Sequence, residues 1–220
     1  MQWPDRCTSA RWTVARHGVE AVLMNAYLDT EFTDLVIRPR LLSVGIVAAT
    51  LVEREFYAEV TDRDRVAATG WFGLGAVLPQ FGKVALAACT YAELGARLAA
   101  FLEDLTLALA PGEQVDLGFG YHLDWELVER AIQDSGAGNW ESTRRRLQPV
   151  EVYAIAGSGP GRSAAEAYFS QQAGALLRRH HALCDARALR VACEAAARGV
   201  AETGLPVIPP AARTCPEPGA

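Results

Sequence analysis

Apolar and polar residues first alternate clearly where Met24-Asn25-Ala26 runs into Tyr27-Leu28-Asp29-Thr30-Glu31-Phe32, and a period of two predicts a strand there. Leu41 to Val47 reads as a buried strand and Glu53 to Val60 as its hairpin partner, so short connections predict three antiparallel strands. Residues 62 to 88, with Trp71, Phe72 and several glycines, predict irregular or short helical structure. Thr90-Tyr91-Ala92-Glu93 has the form of a capping box. Leu94, Leu98, Phe101 and Leu105 continue from it at helical spacing, which predicts a helix covering one sheet face. A strand over Gln114 to Gly120 leads to a helix capped or begun by Asp124, and Val150 to Ala156 reads as a further strand. Gly157 to Gly161 is a loop by composition, followed by helices over Ser163 to Leu177 and His180 to Gly199. Strands interleaved with helices in this way predict one α/β domain.

The ends of the chain differ from its middle. Residues 1 to 23 are polar, contain Pro4 and show no period, which predicts an N-terminal extension, with Met24 as an alternative start. Residues 24 to 204 form the expected domain, and the proline-rich stretch 205 to 220 reads as a disordered tail. At 220 residues and 50% hydrophobic composition, the chain can bury a full core. Its net charge of −5 excludes a broad basic face for long duplexes but leaves short or single-stranded nucleic acid open. Lys83 is the sole lysine among 21 basic residues; arginine suits bidentate phosphate contact, and a GC-rich coding bias produces the same imbalance. Five scattered cysteines without a C-x-x-C pair fit a reduced, cytoplasmic setting. No apolar run approaches the ~20 residues of a membrane helix, so no membrane association is expected.

Candidate chemistry centres on Asp29 and Glu31, which a strand projects to one face while Leu28 and Thr30 face the other way. Two bare carboxylates side by side repel, and a divalent cation with oxygen ligands resolves the conflict. Asp124 opens a helix just after a strand, and Asp185 lies in the first turns of the last long helix, so both could reach one edge of the sheet. The run Arg179-His180-His181-Ala182-Leu183-Cys184-Asp185 adds a histidine that could take a proton from a metal-activated water. His180 and His181 compete for this role, since His181 and Asp185 are four apart on a helix. Arg144-Arg145-Arg146, Arg162 and Arg178-Arg179 are further candidates for phosphate contact. Gly157 to Ser163 lacks the lysine and spacing of a P-loop, and Gly70 to Gly75 has the wrong order for a dinucleotide fingerprint.

In motif order, from about Tyr27 to Ala197, the chain resembles the DEDD superfamily of 3′-to-5′ exonucleases, in its histidine-containing DEDDh branch. Asp29-Thr30-Glu31-Phe32 looks like the first motif, Asp124 the second-motif aspartate, and His180 to Asp185 the H-x-x-x-x-D third motif. The subgroup most resembled is that of small bacterial stand-alone exoribonuclease-like proteins. The position four before Asp124, often polar in the family, is Gly120 here. The resemblance implies a ribonuclease H-like mixed sheet, antiparallel in its first three strands and parallel thereafter, flanked by helices. It further implies two Mg²⁺ or Mn²⁺ ions on Asp29, Glu31, Asp124 and Asp185, His180 as general base, and Thr30 and Phe32 at the substrate. The expected activity is release of nucleoside 5′-monophosphates from the 3′ ends of single-stranded RNA or short oligonucleotides, with DNA as an alternative. Pairing into a homodimer would extend such a small domain's binding surface. The competing expectation is an inactive adaptor on the same fold that binds nucleic acid or protein.

Overall fold

The computed structural model describes residues 26–34, 38–49, 53–107, 109–110, 112–172 and 174–203. The N-terminal extension, Met24 and the 205–220 tail lie outside them. Strands β1 (Ala26–Phe32), β2 (Leu41–Ala49) and β3 (Glu53–Val60) form an antiparallel meander, as the alternation predicts. A short helix α1 (Arg63–Ala67), a π-helical turn (Gly73–Val77) and a 3₁₀ turn (Leu78–Gln80) fill the stretch expected to be irregular. It ends in a two-residue strand β4 (Ala88–Cys89) that sequence pattern is too short to reveal.

Helix α2 (Tyr91–Leu107) starts from the expected box: Glu93 accepts from the Thr90 backbone N–H at 2.8 Å, and the Glu93 N–H donates to Thr90 Oγ1 at 3.3 Å. Strand β5 (Val115–Phe119) leads into α3 (His122–Ser135), and α4 (Trp140–Arg145) precedes β6 (Leu147–Glu151). The sheet order is β4-β3-β2-β1-β5-β6, with β4, β5 and β6 each parallel to its neighbour. This is the α/β, ribonuclease H-like arrangement: three antiparallel strands, then parallel ones, flanked by helices.

Several boundaries differ from expectation. The strand read over Val150 to Ala156 is β6, and Tyr153–Ala156 turns into a short helix α5. Pro149 lies inside β6, which an edge strand tolerates because its outer side needs no ladder bond. Helix α6 (Gly159–Gln171) begins inside the glycine-rich stretch read as a loop, because Ser158 caps it through the Gly161 N–H and Pro160 suits its first turn. The last helix, α7, spans Ala182–Thr203 rather than 180–199.

Two helical layers sandwich the sheet. On one face Leu28, Ile46 and Ala58 pack with Leu94 and Leu98 of α2 and with Val128 and Ile132 of α3. On the other, Val47 and Tyr57 meet Leu183 and Ala186 of α7, and Tyr27 meets Cys193. Among the described residues no helix is long and apolar enough to cross a membrane.

Candidate metal centre

Asp29 and Glu31 sit on the α7 side of β1, with Gly45 and Ser43 of β2 as their cross-strand partners. A side chain at position 45 would overlap the backbone of Ala182 and Leu183. The missing Cβ therefore lets the first turn of α7 lie directly on the sheet, which brings Asp185 to the two carboxylates. A carboxylate oxygen from each of Glu31 and Asp185 and a ring nitrogen of His180 all lie within 4.8 Å of one another.

Asp124 arrives from the end of β5, where the chain turns into α3. It does not begin that helix, as its sequence position had implied, but is the third residue in, with Tyr121 as N-cap. Its carboxylate reaches back, accepting the Tyr121 backbone N–H at 3.0 Å and the Thr30 hydroxyl at 2.7 Å. Asp124 thus has a second task besides capping, because Thr30 ties it to the strand that bears Asp29 and Glu31. The centre spans the carboxyl half of β1 and lies past the end of parallel β5, close to where open α/β sheets place their ligands.

His180 adopts a left-handed backbone, φ 67°, a conformation that costs a residue with a Cβ about 1–3 kcal/mol. The turn is held on both sides. The His180 N–H donates to Asp185 Oδ2 at 2.9 Å. Buried Gln80 accepts the Arg178 N–H at 3.0 Å and donates to the Arg179 carbonyl at 2.7 Å. Two residues further on, the Gly82 N–H donates to buried Glu59 at 2.6 Å, which ties this segment to β3. Neither Gln80 nor Gly45 stood out among the candidate residues; the glycine inside a strand was a readable sign of close backbone approach, whereas Gln80 lies in a stretch without period.

All four carboxyls are raised from their usual range, and at each of them burial is the first cause. For Asp29 the charges of Asp124, Asp185 and Glu31 add to it, although one side of Asp29 stays partly open to solvent. Glu31, 8% exposed, is pushed up to about 8 by burial and then by Asp185 and Asp124. Asp185 reaches about 7, its burial countered by the His180 N–H and Arg179. Asp124 rises only to about 6, because the Thr30 and Tyr121 bonds stabilise its ionised form. Burial and then Arg179 lower His180, which keeps its imidazole neutral near pH 7.

The donor set suits a hard divalent cation. It is rich in carboxylate oxygen, Asp185 Oδ1 is buried without a hydrogen-bond partner among the described residues, and the adjacent Cys184 is held as a thiol, pushed up to about 11 by burial and Asp185.

The two histidines part company. His181 is 1% exposed and stacks on Tyr57 with ring centroids 4.2 Å apart, on the sheet side of α7. Burial lowers it to about 4, and neither ring nitrogen meets a partner from another described residue. Thr30, expected at the substrate, is buried with its hydroxyl committed to Asp124. Phe32 is partly buried against the main core. Exposed Phe72 instead lies edge-on to His180 at 4.9 Å, with exposed Trp71 against Phe72.

The arginine candidates for phosphate contact largely serve the fold. Arg144 pairs with Glu129, Arg146 donates to the Leu109 and Ala110 carbonyls, Arg162 to the Gly157 carbonyl, and Arg179 pairs with Glu166. The chain matches no protein-family model and no curated protein.

Proposed function

We propose that this chain is a metal-dependent 3′-to-5′ exonuclease of the DEDDh kind, releasing nucleoside 5′-monophosphates from single-stranded RNA or short oligonucleotides, with DNA as an alternative substrate. One observation carries the reading: Asp29 and Glu31 from β1, Asp124 from α3 and Asp185 from α7 converge, and His180 stands beside Glu31 and Asp185. Asp29, Glu31, Asp124 and Asp185 would hold Mg²⁺ or Mn²⁺. Two such ions, when bound, lower the pKa of the attacking water and stabilise the departing 3′ oxygen.

The chain's own residues supply the remainder. His180, neutral at its ring, would take the water's proton, a task for which metal-bound carboxylates are too weakly basic. Its position is fixed by the N–H bond to Asp185 and by the Gln80 clamp. Thr30 and the Tyr121 N–H keep Asp124 ionised and aimed. Trp71 and Phe72 offer aromatic faces to a terminal base, worth ~1–3 kcal/mol per stacked base. Three free cysteines, Cys89, Cys184 and Cys193, are buried among the described residues, which supports a reducing, cytoplasmic setting.

The test is incubation of the pure protein with Mn²⁺ and single-stranded oligonucleotides of RNA and DNA. Nucleoside 5′-monophosphates should appear from the 3′ end with the wild type and not with Asp29→Ala. Equal activity in both preparations, or none in the wild type, refutes the proposal. An adaptor need not bind Mn²⁺, so a calorimetric titration separates the two readings.

A further inference from the structure

We infer that a groove beside the carboxylate cluster binds the phosphate backbone of the single strand behind its terminal nucleotide. The inference rests on the exonuclease reading and adds to it where the rest of the substrate runs. The groove, open to solvent, offers about 750 Å³ between the segment before β2, α1 and the starts of α2 and α3.

Its charge is opposite to that of the whole chain. Arg38, Arg40, Arg65 and Arg130 line it against two carboxylates, Glu126 and Asp134, in a protein of net charge −5. Asp134 is engaged by the Tyr91 hydroxyl at 3.0 Å. Arg40 pairs with Asp64 at 3.2 Å, but both side chains are well exposed, so a phosphate can replace that partner at little cost. The guanidinium of Arg65 lies over the Tyr91 ring at 3.5 Å, an arrangement that orients a planar group while leaving its edge N–H donors for an anion. Arg38 and Arg130 are exposed and make no ion pair among the described residues.

Aromatic faces alternate with these charges. Exposed Tyr121 stacks on His122 at 5.9 Å, and both belong to the wall. Guanidinium groups for the backbone and ring faces for bases or sugars are the combination that single strands require.

The groove also leads to the right place. Its wall residues Tyr121, His122 and Leu123 run directly into Asp124. Leu41, on the opposite wall, pairs with Phe32, and both pack on the α2 and α3 side of the sheet while Glu31 faces α7, so a bound strand would pass over the end of the sheet between them. A strand whose 3′ end sits at the carboxylates can therefore continue into the groove.

The experiment measures binding apart from hydrolysis. A 5′-labelled single-stranded oligonucleotide is titrated with protein in EDTA, read by fluorescence anisotropy over a range of salt concentrations, for the wild type and the Arg38→Ala/Arg130→Ala double variant. The variant should bind roughly tenfold or more weakly. Its plot of log K against log salt should be shallower by about 1.4, the loss of two phosphate contacts on a single strand. An Arg38→Lys/Arg130→Lys variant should restore most of the slope. With Mn²⁺, the double alanine variant should raise KM for the oligonucleotide while cleaving a dinucleotide at the wild-type rate, with an unchanged melting temperature. Unchanged affinity and slope in the alanine variant overturn the groove, as does a wild type that binds no oligonucleotide in EDTA, or a mononucleotide that competes as well as the longer strand. If the variant loses binding although the wild type cleaves nothing, the groove stands and the exonuclease reading falls. If the wild type cleaves and the variant matches it throughout, the reverse holds.

Discussion

Gly45→Ala is the sharpest test of how the centre is assembled, because the glycine touches no substrate and carries no charge. The added methyl would lie well inside the 3.4 Å of ordinary contact with three backbone atoms of Ala182 and Leu183, and backbone cannot swing aside as a long side chain can. Relief requires β2 and α7 to separate by about 1 Å. Overpacking of this kind costs ~1–3 kcal/mol. For a chain of this size each kcal/mol lowers the melting temperature by about 2–4 °C, so a fall of roughly 2–12 °C is expected. The same displacement carries Asp185 and His180 away from Asp29 and Glu31, and a misplacement of about 1 Å costs on the order of 10²-fold in rate. Thermal melts, Mn²⁺ calorimetry and oligonucleotide hydrolysis read the three consequences. Gly75→Ala, where an added methyl meets nothing within 4 Å, is the control and should change stability by no more than about 0.5 kcal/mol. If Gly45→Ala melted and bound Mn²⁺ like the wild type, the idea that this glycine sets the seating of α7 would be wrong.

Gln80→Ala removes the bonds to Arg178 and Arg179 that hold the His180 turn, so kcat should fall while Mn²⁺ affinity changes little; an unchanged kcat would show that the turn needs no clamp. Thr30→Val deletes a buried bond to a carboxylate, worth about 1.5–3 kcal/mol, and with it an interaction that keeps Asp124 ionised. The acid limb of the pH–rate profile should then move to higher pH, and an unmoved limb would contradict this role. Folding raises the carboxyls of the cluster, so metal-free stability from this source is fully present below their unfolded range and lost as pH climbs toward about 8, where Glu31 titrates. Mn²⁺ replaces the missing protons, so its effect on melting temperature should grow with pH; a constant increment would count against the cluster as its site. For the same reason Asp29→Asn should raise the melting temperature of the metal-free protein while weakening Mn²⁺ binding, and a drop in melting temperature would go against it.

Local rules carried most of the architecture. Alternation placed β1 to β3 correctly, and Thr90 with Glu93 marked the start of α2 through bonds that form within four residues. Misplaced elements were those whose local signal was overruled. Val152 to Ala156 is apolar enough for a strand, yet the sheet has already ended at Glu151 and the chain folds back as α5. Gly159, Pro160 and Gly161 look like a loop until Ser158 is seen to cap them. At the centre, spacing in sequence picked out the acidic candidates and favoured His180, but it left His181 as a competitor. Ranking them requires knowing which face of the turn meets Tyr57, which depends on β3 being two strands away from β1. Gln80 was out of reach for a related reason, since it acts on residues nearly a hundred positions further along the chain.

The margins of the sheet constrain how copies of this chain can meet. One border is β4, only two residues long, and the other is β6, interrupted by Pro149. Pro149 breaks the row of backbone donors and acceptors at the β6 border, whereas β4 covers only Glu59 and Val60 of β3, so zippering of strands from molecule to molecule is discouraged at the β6 flank alone. On that side, self-association, whether a functional pair or an unwanted aggregate, would have to proceed through helix surfaces and connecting segments instead.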